Sequence, residues 1–145
     1  MSTPLPMRES SIIPALRYRN APKMIEWLCR AFGFERHAVY EDGQGGIAHA
    51  QLRWGGGMLM LGSARDDVYG RRMAEPSEIG GRVTQSLCVV VDDADTHHAM
   101  ALAAGAVIVD APSDQDYGGR GYSCRDPEGH LWWFGSYNPW VPAPR

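Results

Sequence analysis

The chain has few cysteines, no long apolar run and no block of basic residues, and each shortage removes a class of protein. Cys29, Cys88 and Cys124 are odd in number and far apart, which fits reduced, mostly buried thiols better than a disulfide framework. No apolar stretch approaches the ~20 residues a membrane-spanning helix needs. Residues 1–10 carry two prolines and few apolar residues, an irregular lead-in without the apolar centre of a secretory signal, so a cytoplasmic location is expected. A formal net charge of −3 with no Lys/Arg cluster leaves no electrostatic footprint for nucleic acid or an anionic membrane. The expected partner is a small molecule or another protein chain.

What is present is ordinary material for a soluble fold: 145 residues, 44% hydrophobic and 21% charged, enough to bury roughly two-thirds of the unfolded surface without extra staples. Residues 11–18 read as a strand, with Pro14 at an edge, a bulge or the strand start. Asn20 offers a helix cap, Pro22 sits in the first turn, and Met24, Ile25, Leu28 and Phe32 recur at helical spacing until Gly33. Residues 34–40, 47–54 and 58–61 alternate as strands, separated by Asp42-Gly43, Gly45-Gly46 and Gly55-Gly56-Gly57. Residues 65–81 are polar and aperiodic, a connection between halves. Residues 84–91 form a β-branched strand, Asp93 caps a second helix through Ala104, and Gly105 closes it. A short strand at 107–109 and a loop at 113–119 precede a hairpin: 120–125 and 131–137 joined by Asp126-Pro127-Glu128-Gly129, the chemistry of a type I turn.

The second half repeats the first. A shift of 73 positions lays Asn20 on Asp93, and Gly33 then falls within one residue of Gly105. The expected fold is α+β: two tandem βαβββ modules, residues 11–64 and 82–137, joined by linker 65–81 in one domain of 145 residues. Their mixed sheets curve around a central cleft and their helices cover the outer face.

Several stretches carry a family likeness: Ile13-Pro14-Ala15-Leu16-Arg17-Tyr18-Arg19-Asn20-Ala21, Ala31-Phe32-Gly33-Phe34, Ile47-Ala48-His49-Ala50, Val91-Asp92-Asp93-Ala94-Asp95, Ala103-Ala104-Gly105-Ala106, Tyr117-Gly118 and Asp126-Pro127-Glu128-Gly129-His130. In this order the chain resembles the vicinal oxygen chelate superfamily, which includes glyoxalase I, bleomycin-resistance proteins and extradiol dioxygenases. Its finer likeness is to the bacterial glyoxalase/bleomycin-resistance-like subgroup. The resemblance implies a metal held by side chains from the first and last strand of each module. Those positions fall near Ile13, Ser86, Met60 and Trp133, and the same 73-residue shift relates the two pairs. None is a metal ligand, and within one residue only Gln85 offers a weak donor, so no metal site and no cofactor are expected.

The candidate ligand-binding residues are Trp133, His49, Arg120, Tyr122 and Trp54. Trp132 and Trp133 alternate across the sheet, one packing under a helix and Trp133 entering the cleft as a flat apolar wall. His49 shares a strand face with Ile47 and Gln51 and can serve as base or donor. Arg120, Tyr122 and Cys124 share a face of the penultimate strand, where Arg120 and Tyr122 can hold an anionic or planar ligand, while Cys124 reads as a small buried hydrophobe. His130 belongs to the turn, and His97 and His98 face different ways on their helix. The expected function is sequestration or resistance: a metal-free cleft, in a homodimer, binding a planar or amphipathic small molecule. The alternatives are a metal-dependent lyase or dioxygenase with a displaced site built from His49, Gln85 or Glu41, and an interaction role with the cleft plugged.

Overall fold

Asn20 and Asp93 start the two helices by the same device. The Asn20 side chain accepts from the Lys23 N–H at 3.3 Å, and Asp93 accepts from the Thr96 N–H at 3.1 Å, each satisfying a donor that the helix start leaves without a partner. A computed structural model describes residues 9–141, so the expected lead-in lies outside the described residues as far as position 8. In sequence order it shows β1 (Ala15–Tyr18), α1 (Ala21–Phe32), β2 (Glu35–Glu41), β3 (Ile47–Trp54), β4 (Gly57–Ser63), β5 (Leu87–Val90), α2 (Ala94–Ala103), β6 (Val107–Asp114), β7 (Arg120–Arg125) and β8 (Leu131–Gly135). The elements form two βαβββ modules, each an α+β layer pair with its own four-stranded mixed sheet. The chain divides into two compact units between Glu75 and Pro76.

In the first unit the strand order is β1-β4-β3-β2, in the second β5-β8-β7-β6. Each module's first strand pairs in parallel with its last: Ala15 opposite Met60, and Cys88 opposite Trp133. Both pairs obey the 73-residue shift. α1 buries Met24, Ile25, Leu28, Ala31 and Phe32 against the sheet side carrying Ala50, Leu52, Leu59 and Leu61, all at most 3% exposed. Each large apolar side chain buried there contributes about 1.5–3 kcal/mol. α2 is different, burying only Ala94, His97 and Ala101. Its core is supplied mainly from the sheet, by Tyr122, Trp132 and Phe134, at 1%, 0% and 0% exposed.

The strand bounds shift from those expected at several ends, β4 running on to Ser63 and β8 ending at Gly135, and three of the shifts have a plain cause. β1 starts only at Ala15 because Pro14 has no N–H to give, although its carbonyl accepts from the Met60 N–H at 2.9 Å. β5 starts at Leu87, since its partner β8 begins only after the turn, at Leu131. β6 runs on to Asp114 rather than ending at 109, because β7 offers it a partner as far as Arg120. Pro112 is tolerated there because β6 is an edge strand whose pairing is irregular between Asp110 and Ser113. The polar stretch 65–75 folds back on the first unit: Arg65 pairs with Asp42 at 3.5 Å, and Glu75 with Arg19 at 3.0 Å. Among the described residues no helix is long and apolar enough to cross a membrane.

Candidate functional site

Alternation along β1, β3 and β4 leaves Ala15, Arg17, His49, Gln51, Met60 and Gly62 on the side of the first sheet opposite α1. This helix-free side holds a pocket of about 230 Å³. Its floor comes from β1, β3 and β4, and Tyr69 and Met73 of the folded-back connection close it. Arg17 reaches over Gly62 of the floor, where a Cβ would stand 2.6 Å from its Nη1. The guanidinium donates to the Ser63 carbonyl at 3.3 Å and sits 4.6 Å from the centroid of the Tyr69 ring, a cation–π contact. His49 also lines the pocket. Its Nε2 is 3.1 Å from Gln51 Nε2, and its ring stacks with Tyr40 at 6.2 Å. Trp54, by contrast, has the parity of Ala50 and Leu52, and its ring lies 5.8 Å from Phe34 on the helix side.

In the second unit Trp132 and Trp133 part as alternation requires. Trp132 is fully buried beneath α2, its Nε1 donating to Asp126 Oδ2 at 3.0 Å. Trp133 lies half-buried on the opposite side, flat over two glycines. A Cβ at Gly135 would stand 2.1 Å from its ring and one at Gly121 2.5 Å, so the indole occupies the room that two absent side chains leave. Beside it Ser123 donates to Asp110 Oδ2 at 2.5 Å.

Arg120, Tyr122 and Cys124 do share one face, and it is the face under α2. Tyr122 pairs with Phe134 rather than Trp133 in the β7–β8 register. Its hydroxyl is 2.6 Å from His97 Nδ1, and burial raises its pKa. Arg120 is tied to Asp95 of α2 at 3.1 Å and to Asp114 at 3.3 Å. The structure therefore does not bring Arg120 and Tyr122 onto the side of the sheet that carries Trp133. Burial pushes the Cys124 thiol up to about 12, which leaves it without nucleophilic character near neutral pH. His97 stacks on Phe134 at 4.1 Å and serves packing. Arg17, Tyr69, Met73 and the glycine floor under Trp133 were not read from the sequence. The Arg17–Gly62 pairing follows from the parallel β1–β4 register, which the module repeat by itself does not specify.

The donor chemistry needed for a metal is not met at the family positions. Met60 and Trp133 occupy the last-strand positions, and Ile13 and Ser86 precede β1 and β5. Among the described residues no three His, Cys, Asp or Glu side chains gather to hold a metal ion. Glu41 is exposed at the β2 edge opposite Ile47, and Gln85 is exposed ahead of β5.

Comparison with known proteins gives concordant results. The family model for the Glyoxalase/Bleomycin resistance protein/Dioxygenase superfamily matches residues 13–134. An uncharacterised protein of Mycobacterium bovis is 31% identical over 127 residues, covering 88% of this chain and 83% of its own. The crystal structure of TioX from Micromonospora sp. ML1 is similar at 35% identity and a TM-score of 0.71, covering 89% of this chain and 99% of that one. Fosfomycin resistance protein FosX from Mesorhizobium loti has a TM-score of 0.63 at 16% identity, covering 92% and 96%, a likeness of fold alone.

Proposed function

The chain belongs to the glyoxalase/bleomycin resistance protein/dioxygenase superfamily, and on that premise we propose that it binds a planar or amphipathic small molecule without a metal, in a sequestering or resistance role. The observation that carries this reading is the pair Met60 and Trp133. These equivalent positions on the two helix-free sheet sides present a thioether and an indole where the family commonly has ligating side chains. A thioether and an indole face favour dispersion and stacking over coordination. The first-unit pocket supports the same reading, with Arg17 and His49 as polar groups among Ala15, Leu16, Met60, Leu61 and Met73. The protein acts as a homodimer in the cytoplasm.

A thermal-shift screen with aromatic metabolites and planar antibiotics tests this. A true ligand at a hundredfold excess over its Kd stabilises by about 2.7 kcal/mol, raising Tm by roughly 5–10 °C. If no compound class moves the transition, the sequestering role fails. Elemental analysis of untagged protein separates the metal-dependent alternative. Stoichiometric nickel, zinc, iron or manganese retained through purification removes the metal-free reading, and light scattering checks the dimer.

A further inference from the structure

We propose that the helix-free side of the second sheet is a site for a flat ring system carrying a cationic N–H edge, an aryl amidinium being the simplest case. The ring stacks on Trp133 and the edge is held by Asp110 and Ser123; this rests on the small-molecule reading above and names its ligand class. The stacking surface is set in place from below. The indole is seated over Gly121 and Gly135, where a Cβ would come within 2.5 Å and 2.1 Å of its ring, so its lower face is taken and its position fixed. A ring fixed in this way gives up little freedom when a second ring lies on it. Trp133 keeps part of its surface exposed, and its β5 neighbours on the same side, Cys88 opposite Trp133 and Val90 opposite Gly135, are both exposed.

The polar groups beside the indole decide what the edge of the guest must be. Ser123 stands opposite Trp133, and Asp110 opposite Ser123, on three adjacent strands. The Ser123 hydroxyl gives its proton to Asp110 Oδ2, so what the pair has left to offer is acceptor lone pairs. Asp110 is exposed, and among the described residues it takes part in no ion pair. Arg125 shares this face but lies beyond Ser123, on the far side from Gly121, and donates to the Gly129 carbonyl at 2.8 Å. A guest edge that donates therefore meets acceptors, and a positively charged one gains more, since the indole face and the carboxylate both attract it. A carboxylate edge meets lone pairs and is turned away. The net charge of −3 favours the approach of a cation.

The test is calorimetry on the full chain with three isosteric probes: naphthalene-2-carboximidamide, a cation at neutral pH, naphthalene-2-carboxamide and naphthalene-2-carboxylate. The amidinium is expected to bind about tenfold tighter than the carboxamide, the ratio that one charge-assisted bond supports, and the carboxylate not measurably. Asp110→Asn is expected to bring the amidinium down to the carboxamide's affinity while leaving the carboxamide unchanged. Trp133→Leu is expected to weaken both about tenfold, the loss of one stacked ring. Equal binding of amidinium and carboxamide by the native chain, a preference that survives Asp110→Asn, or affinities unchanged by Trp133→Leu overturns the proposal and leaves the small-molecule reading standing. Binding of none of the probes overturns it as well, and the thermal-shift screen then judges that reading on its own. Should Trp133→Leu fail to fold, Trp133→Phe decides, since it keeps a ring with less stacking area. A loss shared by amidinium and carboxamide supports the assignment, and unchanged affinities overturn it.

Discussion

The carboxylate of Asp126 is 2% exposed and holds the β7–β8 turn to the core beneath α2. Oδ1 accepts from the backbone N–H groups of Glu128 at 3.0 Å and His130 at 3.1 Å. Oδ2 accepts from Trp132 Nε1 at 3.0 Å, and the Gly129 N–H closes the turn on the Asp126 carbonyl at 2.9 Å. One side chain thus sets the turn and supplies the acceptor that a buried indole N–H requires. Asp126→Ala removes that acceptor and is expected to cost about 3 kcal/mol, read as a lower urea midpoint with an unchanged slope. Asp126→Asn, which keeps an acceptor oxygen, should lose less. The turn was legible in Asp-Pro-x-Gly. The bond to Trp132 was not, because no sequence pattern reports where an indole N–H points.

Strand β8 shows how alternation assigns sides and how it can be misapplied. Trp132 and Phe134 go under the helix, and Trp133 lies on the glycine floor of the other side. Gly135→Ala tests the floor. Its new Cβ would meet the ring at 2.1 Å, so the indole must lift, giving a red-shifted tryptophan emission and about 1–3 kcal/mol of overpacking cost. Unaltered emission would mean the ring does not rest there. Grouping Arg120 and Tyr122 on one strand face was sound, yet alternation alone does not say which face a helix covers. Counting outward from the turn would have settled it, since Arg125 opposite Leu131 puts Tyr122 opposite Phe134. The connection was the least legible element. Folded back on the first unit, it forms Arg19–Glu75 and Arg65–Asp42, pairs 56 and 23 positions apart, which no local period encodes.

For the molecule as a whole, two carboxylates contribute to the acid limb of stability. Asp42 is held below its ordinary value by the Gln44 and Gly46 backbone N–H groups, with Arg65 adding to this. Asp93 is lowered by the Thr96 backbone N–H. A carboxylate depressed in the folded state stabilises above its unfolded pKa, near 3.8, and that contribution is lost as pH falls through the folded value. Urea midpoints should therefore be flat with respect to these two groups above about pH 4 and fall below it, and Asp42→Asn with Asp93→Asn should lessen that fall. The tandem plan was the most legible feature, because Asn20 and Asp93 repeat at 73 positions, Gly33 and Gly105 agree within one residue, and the same side-chain cap starts both helices. The parallel pairing of first to last strand has a consequence during synthesis. Ala15 waits for Met60, and Leu87 for Trp132, the same interval of 45 residues. At about 5–20 residues per second, each opening strand leaves the ribosome roughly two to nine seconds before the strand that completes its sheet, so the nascent chain twice carries an unpaired edge that only its own continuation can cover.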